Sequence, residues 1–306
     1  MSAAEQDSGP GPGFSIHGHR LAAPPLAPGL YIVSTPIGNL RDVTIRALET
    51  LARADLVACE DTRVTAVLTR HYDIRAPLIA YHEHNAAQQR PRILAALAEG
   101  KVVALVSDAG TPLVSDPGFR LVGAALEAGH AVVPIPGASA LLASLVVAGL
   151  PSDAFLFAGF LPTRTVGRRK RLVELADVPA TLVFYESPHR TADALADMAD
   201  VLGTGRQAAV ARELTKTFET VRHGTLGSLA AAFAGTSPKG EIVILAGPPL
   251  PSVPDEQDAD ALLIRLLAEH PLKEAARLAA EATGLPRRDL YQRALGLKGD
   301  PEAADG

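Results

Sequence analysis

A chain of 306 residues, 47% hydrophobic and 21% charged, holds too much apolar material for a disordered protein and is too long for most single cores. Two domains are therefore expected. A single cysteine, Cys59, excludes a disulfide framework and fits a reducing, cytoplasmic setting; after Leu56-Val57-Ala58 it reads as a small core residue. The net charge of −5 counts against a nucleic-acid binder that is basic overall, and leaves that role only to a local basic surface.

Residues 1–28 are rich in Gly, Pro and Ser, lack the basic-then-apolar pattern of a signal peptide, and are expected to form a disordered tail. A strand is predicted over residues 30–34, closed by Pro36 and Gly38, then an amphipathic helix over about 44–54. Strands follow over 55–59 and 77–80, and a helix over about 86–99 stops at Gly100. The apolar run 101–106 suits a central strand of a parallel sheet, buried on both faces. A helix over 118–128 stops at Gly129, and 131–133 is the last strand of this half. Residues 131–150 carry no charge, but Pro134, Pro136 and Gly137 break them into strand, turn and buried helix, so a soluble protein without membrane contact is expected. This alternation indicates an N-terminal α/β domain, residues 29–138, with a mostly parallel sheet.

A second α/β domain is expected over residues 139–250. Its strands are predicted over 154–158, 181–185, 207–211, 221–223 and 241–246, and its helices around 168–176, 191–202 and 226–234, so its sheet should be mixed. Acidic, proline-bearing residues 251–260 make a linker into a helical tail, residues 255–298. That tail reads as helices over 261–282, broken near His270-Pro271, and 287–295, flanking the turn Gly284-Leu285-Pro286.

Open α/β sheets bind ligands beyond the carboxyl ends of their strands. The first such loop here, Thr35-Pro36-Ile37-Gly38-Asn39, is no G-x-G-x-x-G, and no G-x-x-x-x-G-K-[ST] occurs, which disfavours an NAD-dependent oxidoreductase and excludes a P-loop nucleotide site. Ser107-Asp108-Ala109-Gly110-Thr111-Pro112 and Ser115-Asp116-Pro117-Gly118 belong to one long loop. Its glycines let backbone approach a ligand and its prolines fix the path; the plain alternative is a structural turn with Asp116 capping the next helix. Four polar clusters fall near strand ends: Glu60-Asp61-Thr62-Arg63, His82-Glu83-His84-Asn85, Glu186 with His189 and Arg190, and Arg212-Glu213 with Lys216. The first reads equally as a helix cap with an ion pair, the second as a surface loop, and the fourth as a bridge between domains. The second lacks H-E-x-x-H spacing, and no metal is expected. Arg164, Arg168, Arg169, Lys170 and Arg171 place five cations and no acid within eight residues. They could track phosphates, or form an ordinary solvated helix face.

The runs Tyr31-Ile32-Val33-Ser34-Thr35-Pro36-Ile37-Gly38-Asn39-Leu40, Cys59-Glu60-Asp61-Thr62-Arg63, Tyr81-His82-Glu83-His84-Asn85, the 107–118 loop, Pro136-Gly137-Ala138-Ser139-Ala140, Phe184-Tyr185-Glu186-Ser187-Pro188-His189-Arg190, Ala211-Arg212-Glu213-Leu214-Thr215-Lys216 and Lys239-Gly240-Glu241-Ile242-Val243 stand in one order. In that order the chain resembles the family of bacterial ribosomal RNA small-subunit methyltransferase I, in the tetrapyrrole-methylase superfamily, over about residues 29–247. It departs at Leu113-Val114, where the resemblance leads one to expect glycine and isoleucine and where a stiffer loop follows, and in its extended N-terminal segment.

The resemblance implies a two-domain tetrapyrrole-methylase fold, usually a homodimer, with S-adenosyl-L-methionine (AdoMet) held between domains. The family's cofactor positions fall on Ile37, Asp108, Thr111, Ala138, Ser139, Tyr185, Leu214, Lys239 and Gly240. It implies 2′-O-methylation of a cytidine ribose in 16S rRNA, with the small ribosomal subunit as partner. A ribose hydroxyl is a poor nucleophile, so a base is sought, and Asp61 and Glu83 are favoured. Arg63, Arg168, Arg169, Lys170, Arg171, Arg287 and Arg288 are the candidate RNA contacts. The tail, with Arg287 and Arg288 opening its last helix, resembles a helix-turn-helix, the alternative being a helical cap on the dimer. Aromatics at 4% and no tryptophan suit a folded RNA surface better than a single-strand groove. Two further readings stay open: an enzyme of the same fold acting on a tetrapyrrole or a protein, against which the 184–190 and 211–216 runs argue, and a non-catalytic RNA-binding relative.

Overall fold

Thr44, Asp61 and Thr225 turn side-chain oxygens onto the unpaired amides of a first helical turn: they accept from Ala47 N, Arg63 N and Ser228 N. Such caps fix where helices begin, and here they fall immediately after loops that end at strands. A computed structural model describes residues 11–114, 118–250 and 256–299, with side chains in the last segment described over 259–297. The chain forms two units, Met1–Pro248 and Pro249–Gly306.

The first unit opens with β1 (Gly13–Ile16) and β2 (His19–Ala22), an antiparallel hairpin. Residues 13–22 therefore correct the expectation of a disordered tail through residue 28. The alternation of Phe14 and Ile16 turns Phe14 into the core beside Leu48 and Leu51, and His17-Gly18, both at positive φ, supply the two-residue turn. Residues 1–10 lie outside the described residues.

Next come β3 (Gly29–Val33), α1 (Ile45–Arg53), β4 (Leu56–Cys59), α2 (Thr62–His71), β5 (Leu78–Ala80), α3 (Ala86–Ala98), β6 (Val102–Val106), α4 (Phe119–Glu127) and β7 (Val132–Ile135). Their strands form an all-parallel sheet in the order β5-β4-β6-β3-β7. The central β6 is buried at all five positions. Val102, Ala104 and Val106 pack on one face with Leu48, Leu51 and Leu68; Val103 and Leu105 pack on the other with Ile93, Leu97 and Leu121. This two-sided burial explains the unbroken apolar run. The capping role considered for Asp116 lies outside the described residues.

The chain continues with α5 (Ala140–Val147), β8 (Phe155–Phe160), α6 (Thr165–Leu175), β9 (Thr181–Glu186), α7 (Thr191–Leu202), β10 (Gln207–Arg212), β11 (Thr220–Thr225), α8 (Leu226–Phe233) and β12 (Ile242–Ala246). The second sheet, β11-β10-β12-β9-β8, is mixed: β8 and β9 run parallel, the other pairs antiparallel. The helix over 140–147 is only half buried, a correction to the buried helix expected there. Leu145 is covered, yet Leu142 is 52% and Val146 81% exposed.

The second unit holds α9 (Glu256–Glu269), α10 (Leu272–Thr283) and α11 (Arg287–Gly299). Pro271 stands at the break between the first two, and Gly284, at φ 68°, ends the second. Leu263, Ala279, Leu290 and Ala294 form its core. Among the described residues no helix is long and apolar enough to cross a membrane.

Candidate functional site

The loop after β3 and the loop after β6 are stitched together by backbone. Thr35 N donates to Gly110 O at 2.9 Å and Gly110 N returns to Thr35 O at 3.0 Å. Side chains extend the seam: Thr35 Oγ1 donates to Ser107 O, Ser34 and Thr111 share a hydroxyl contact of 3.0 Å, and Thr111 Oγ1 donates to Ala138 O. The loop after β4 joins through Asp61 N, which donates to Asp108 Oδ1 at 2.9 Å. Four strand ends of the parallel sheet are thereby fixed to one another.

Above this seam lies a cavity of about 400 Å³, within the usual size of a small-molecule site. Of the expected cofactor positions, Ile37, Asp108, Thr111, Ser139, Tyr185 and Gly240 line it. Ala138 stands one step back as the acceptor of the Thr111 hydroxyl. Leu214 is buried beneath, packed with Ile37 and Leu145. Lys239 is exposed, and its carbonyl accepts from Arg212 Nη1.

Tyr185, one residue before the end of β9, has its ring edge-on to Phe157 at 4.8 Å and Phe160 at 5.7 Å. Its hydroxyl accepts from Leu141 N at 3.1 Å, capping the first turn of α5. On the far side Gly240, at φ 93°, lets the chain pass the Glu213 carboxylate, which a Cβ at that position would overlap. Glu213 Oε1 holds Glu241 N and Lys216 Nζ, each at 2.9 Å. The Lys216 ammonium keeps the Glu213 carboxyl below its ordinary range.

The cavity also contains groups that were not among the expected cofactor positions, Glu60 and Glu186 among them from the polar clusters near strand ends. Glu60, Glu186 and Glu241 join Asp108 in its wall, with Phe160 and Val114 as apolar lining. Glu186 is buried; its Oε1 accepts from Ser187 N and pairs with Arg190 Nη2 at 2.7 Å. Its position at the end of β9, beside Tyr185, was the available signal.

The two carboxylates favoured as base are not among the lining residues. Asp61 takes the plain alternative: it caps α2 and pairs with Arg63 Nη2 at 2.6 Å. The Arg63 guanidinium and amide hold its carboxyl at about 2, so it stays ionised near neutrality. Glu83 is exposed on the turn after β5, where Asn85 Oδ1 accepts from His82 N. Among the described residues no three His, Cys, Asp or Glu side chains gather as a metal site.

The cation run on α6 also divides. Arg168 is buried, with Nε 2.6 Å from Asp197 Oδ2 on α7, which corrects its assignment as an RNA contact. Arg169 bridges Asp197 and Asp200, and Arg171 pairs with Glu174. Arg164 and Lys170 are exposed and form no ion pair among the described residues. Arg63 points outward, as do Arg287 and Arg288 in the first turn of α11.

Comparison with known proteins agrees with this geometry. The Tetrapyrrole (Corrin/Porphyrin) Methylases family matches residues 29–230, and an RsmI C-terminal HTH domain matches residues 253–298. A ribosomal RNA small subunit methyltransferase I of Mesorhizobium japonicum is 56% identical over 287 residues, covering 94% of this chain and 98% of that one. Its namesake from Pseudomonas aeruginosa is 51% identical, covering 88% and 98%. Among solved structures, a cobalt precorrin-4 methyltransferase superposes with a TM-score of 0.56 at 21% identity, over 71% of this chain and 94% of that one. A uroporphyrin-III C-methyltransferase from Thermus thermophilus, complexed with S-adenyl homocysteine, gives 0.51 at 23%, over 71% and 96%. Those two likenesses concern the fold; the near-full-length identities concern the family, and by them the chain belongs to the ribosomal RNA small subunit methyltransferase I family of tetrapyrrole methylases.

Proposed function

We propose that this chain transfers the methyl group of AdoMet to the 2′-oxygen of a cytidine ribose in the 16S rRNA of the small ribosomal subunit. The observation that carries the reading is identity of about half the residues with rRNA methyltransferases over almost their whole lengths. When bound, AdoMet supplies a methyl group on positively charged sulfur, and its transfer to the ribose oxygen releases one proton. The residues present suit that ligand. Ile37 and Val114 give an apolar wall, the Thr111 and Ser139 hydroxyls and Asp108 give hydrogen-bonding groups, and Gly110 and Gly240, both at positive φ, bring backbone to the cavity surface. Ala138 and Leu214 support the wall from behind, and the Lys239 carbonyl, next to Gly240, holds Arg212. Rigid seating of donor and acceptor supplies much of the rate, since correctly oriented reactants gain several kcal/mol, roughly 7–11 in favourable cases.

We assign the proton to Glu83 rather than Asp61. In register, Cys59 on β4 pairs with Ala80 on β5 and with Val106 on β6, so residues 60–61, 81–83 and 107–108 leave the sheet side by side. Asp61 is too acidic to keep a proton near neutrality. Glu83→Ala should lower turnover about 10²-fold or more with AdoMet affinity unchanged. Near-normal turnover in that variant would remove Glu83 from the mechanism.

We further infer that Arg63, Arg169, Lys170, Arg171, Arg287 and Arg288 meet RNA phosphates, that the protein works in the cytoplasm, and that it does so as a homodimer. Leu142 and Val146, one helical turn apart on α5, form an apolar face that a second copy would cover. The deciding test is transfer of labelled methyl from AdoMet to small subunits lacking the modification, with naked rRNA and a tetrapyrrole precursor in parallel. Label recovered in an alkali-resistant dinucleotide from subunit RNA is expected. Label on the tetrapyrrole alone would overturn the substrate and keep the fold.

A further inference from the structure

Strands β10 and β11 pair in a register that sets Val210 opposite Arg222 and Arg212 opposite Thr220. Alternate residues of a strand share a face, so these four side chains stand together on one face of the second sheet. Phe233 of α8 covers that face, and Thr236, Ser237 and Pro238 close the rim of a cavity of about 310 Å³. It has no lining residue in common with the cavity of about 400 Å³ described above.

The Arg212 and Arg222 guanidiniums and the hydroxyls of Thr220, Thr236 and Ser237 line the cavity, and no carboxylate does. Arg212 donates to neutral acceptors: Nε to Thr220 Oγ1 at 3.2 Å, Nη1 to Lys239 O at 3.0 Å and Nη2 to Phe218 O at 3.2 Å. A guanidinium carries five N–H groups, so one on each terminal nitrogen is left over. Arg222 lies over the Phe233 ring, its central carbon 5.2 Å from the centroid, an arrangement that attracts a cation to the ring face. Its side chain makes no hydrogen bond or ion pair among the described residues. The neighbouring acids are engaged elsewhere, Glu213 by Lys216 Nζ and Glu241 N, and Glu219 by Thr215 N. In the same half of the chain Arg168, Arg169, Arg171 and Arg190 each meet a carboxylate. At the rim, His189 Nδ1 stands 3.3 Å from Ser237 Oγ.

We propose that this cavity is a phosphate site, filled by a backbone phosphodiester of the RNA that carries the methyl acceptor. The inference rests on the methyltransferase reading above and adds a contact on the second sheet, apart from the cations of α6 and α11. Planar guanidiniums offer paired N–H donors that match phosphate oxygens, and hydroxyls are common partners in such contacts. Two like charges in one concavity repel, and an anion between them replaces that repulsion with attraction. The position is also favourable. Pro238 lines this cavity and Gly240 the other, so at most about 7 Å of extended chain separates the two walls. An RNA strand held here runs alongside the cavity assigned to AdoMet.

Arg222→Gln removes one guanidinium and leaves the segment that Arg212 holds. Affinity for small subunits, measured by filter binding, should fall about tenfold, and the slope of its logarithm against the logarithm of salt should fall by about one. The loss should appear in KM for small subunits, with AdoMet affinity by calorimetry within about twofold. Arg222→Lys keeps the charge and should keep the slope. Ser237→Asp, at the exposed rim, sets a carboxylate beside the guanidiniums and should reproduce the loss even if position 222 matters to folding. Inorganic phosphate, titrated at constant ionic strength, separates the two sources of the anion. A saturable rise in Tm that Arg222→Gln abolishes, with RNA affinity unmoved, would assign the cavity to free phosphate and overturn the RNA contact. Unchanged affinity and slope in Arg222→Gln and Ser237→Asp would overturn it too, as would a fall in kcat or AdoMet affinity at constant KM, the mark of a support for residues 238–240. Wild-type protein that methylates no RNA would instead overturn the reading on which the site rests.

Discussion

Leu113 sits at φ 76°, a conformation that costs a residue with a Cβ about 1–2 kcal/mol. Its side chain closes over Gly118, where a Cβ would stand 2.7 Å from Leu113 Cδ2. The resemblance led one to expect glycine at this position, and the backbone supplies the reason: the loop path is a glycine path. Leucine keeps that path by packing against the cluster that holds Leu105 and Leu121. Leu113→Gly exchanges strain and packing for chain freedom, so stability should change by less than about 1 kcal/mol. Hydrogen exchange over residues 108–114 should quicken, and AdoMet affinity should fall modestly. Unchanged exchange would mean that the Thr35–Gly110 bridge alone holds the loop. Legibility at this scale was uneven for a physical reason. Ile37, Asp108, Thr111 and Ser139 were located by the family resemblance, and they lie in the loops that follow β3, β6 and β7. Glu60 and Asp61 are adjacent in sequence, and only the turn of α2 decides that one walls the cavity while the other caps a helix.

Elements with a strong period were readable: α1 with its Thr44 cap, and β6 with its buried run. Helix α2 carried a weak signal because Thr62, Val64, Thr65, Val67 and Thr69 are β-branched and poor helix formers. Its Asp61 cap and its inward Thr65, Leu68 and Thr69 secure it in the folded chain. The hairpin β1–β2 was hidden by glycine-rich surroundings, and its anchor, Phe14, finds its partners on α1 more than thirty positions later. The cation run of α6 looked unneutralised for the same reason: two of the acids that meet it, Asp197 and Asp200, belong to α7. Removing Arg168 leaves Asp197 a buried charge whose main partner is gone, so Arg168→Ala should cost roughly 3 kcal/mol in denaturant unfolding. Lys170→Ala, at an exposed position, should change stability little and weaken RNA binding. Equal stability losses in both variants would contradict this division of the helix.

For the whole molecule, a net charge of −5 means that RNA affinity has to come from a few outward cations. The logarithm of affinity for small subunits should fall steeply with the logarithm of salt. Replacing Arg287 and Arg288 together by alanine should lower that slope by about two, near one for each phosphate left without its cation, while AdoMet binding stays the same. An unchanged slope would give α11 a structural role instead.

Tyr185 walls the cavity of about 400 Å³, and its hydroxyl caps the first turn of α5, whose outer face carries Leu142 and Val146. Val146→Asp should yield a monomer in analytical ultracentrifugation. If pairing through α5 steadies that turn, ligand occupancy and self-association draw on one free energy, and each must strengthen the other by the same factor. Dilution across the dimer's dissociation range should then raise the apparent AdoMet dissociation constant, and saturating AdoMet should shift the monomer–dimer equilibrium toward the pair. In that arrangement the cellular abundance of the enzyme itself becomes an input to its own methylation rate.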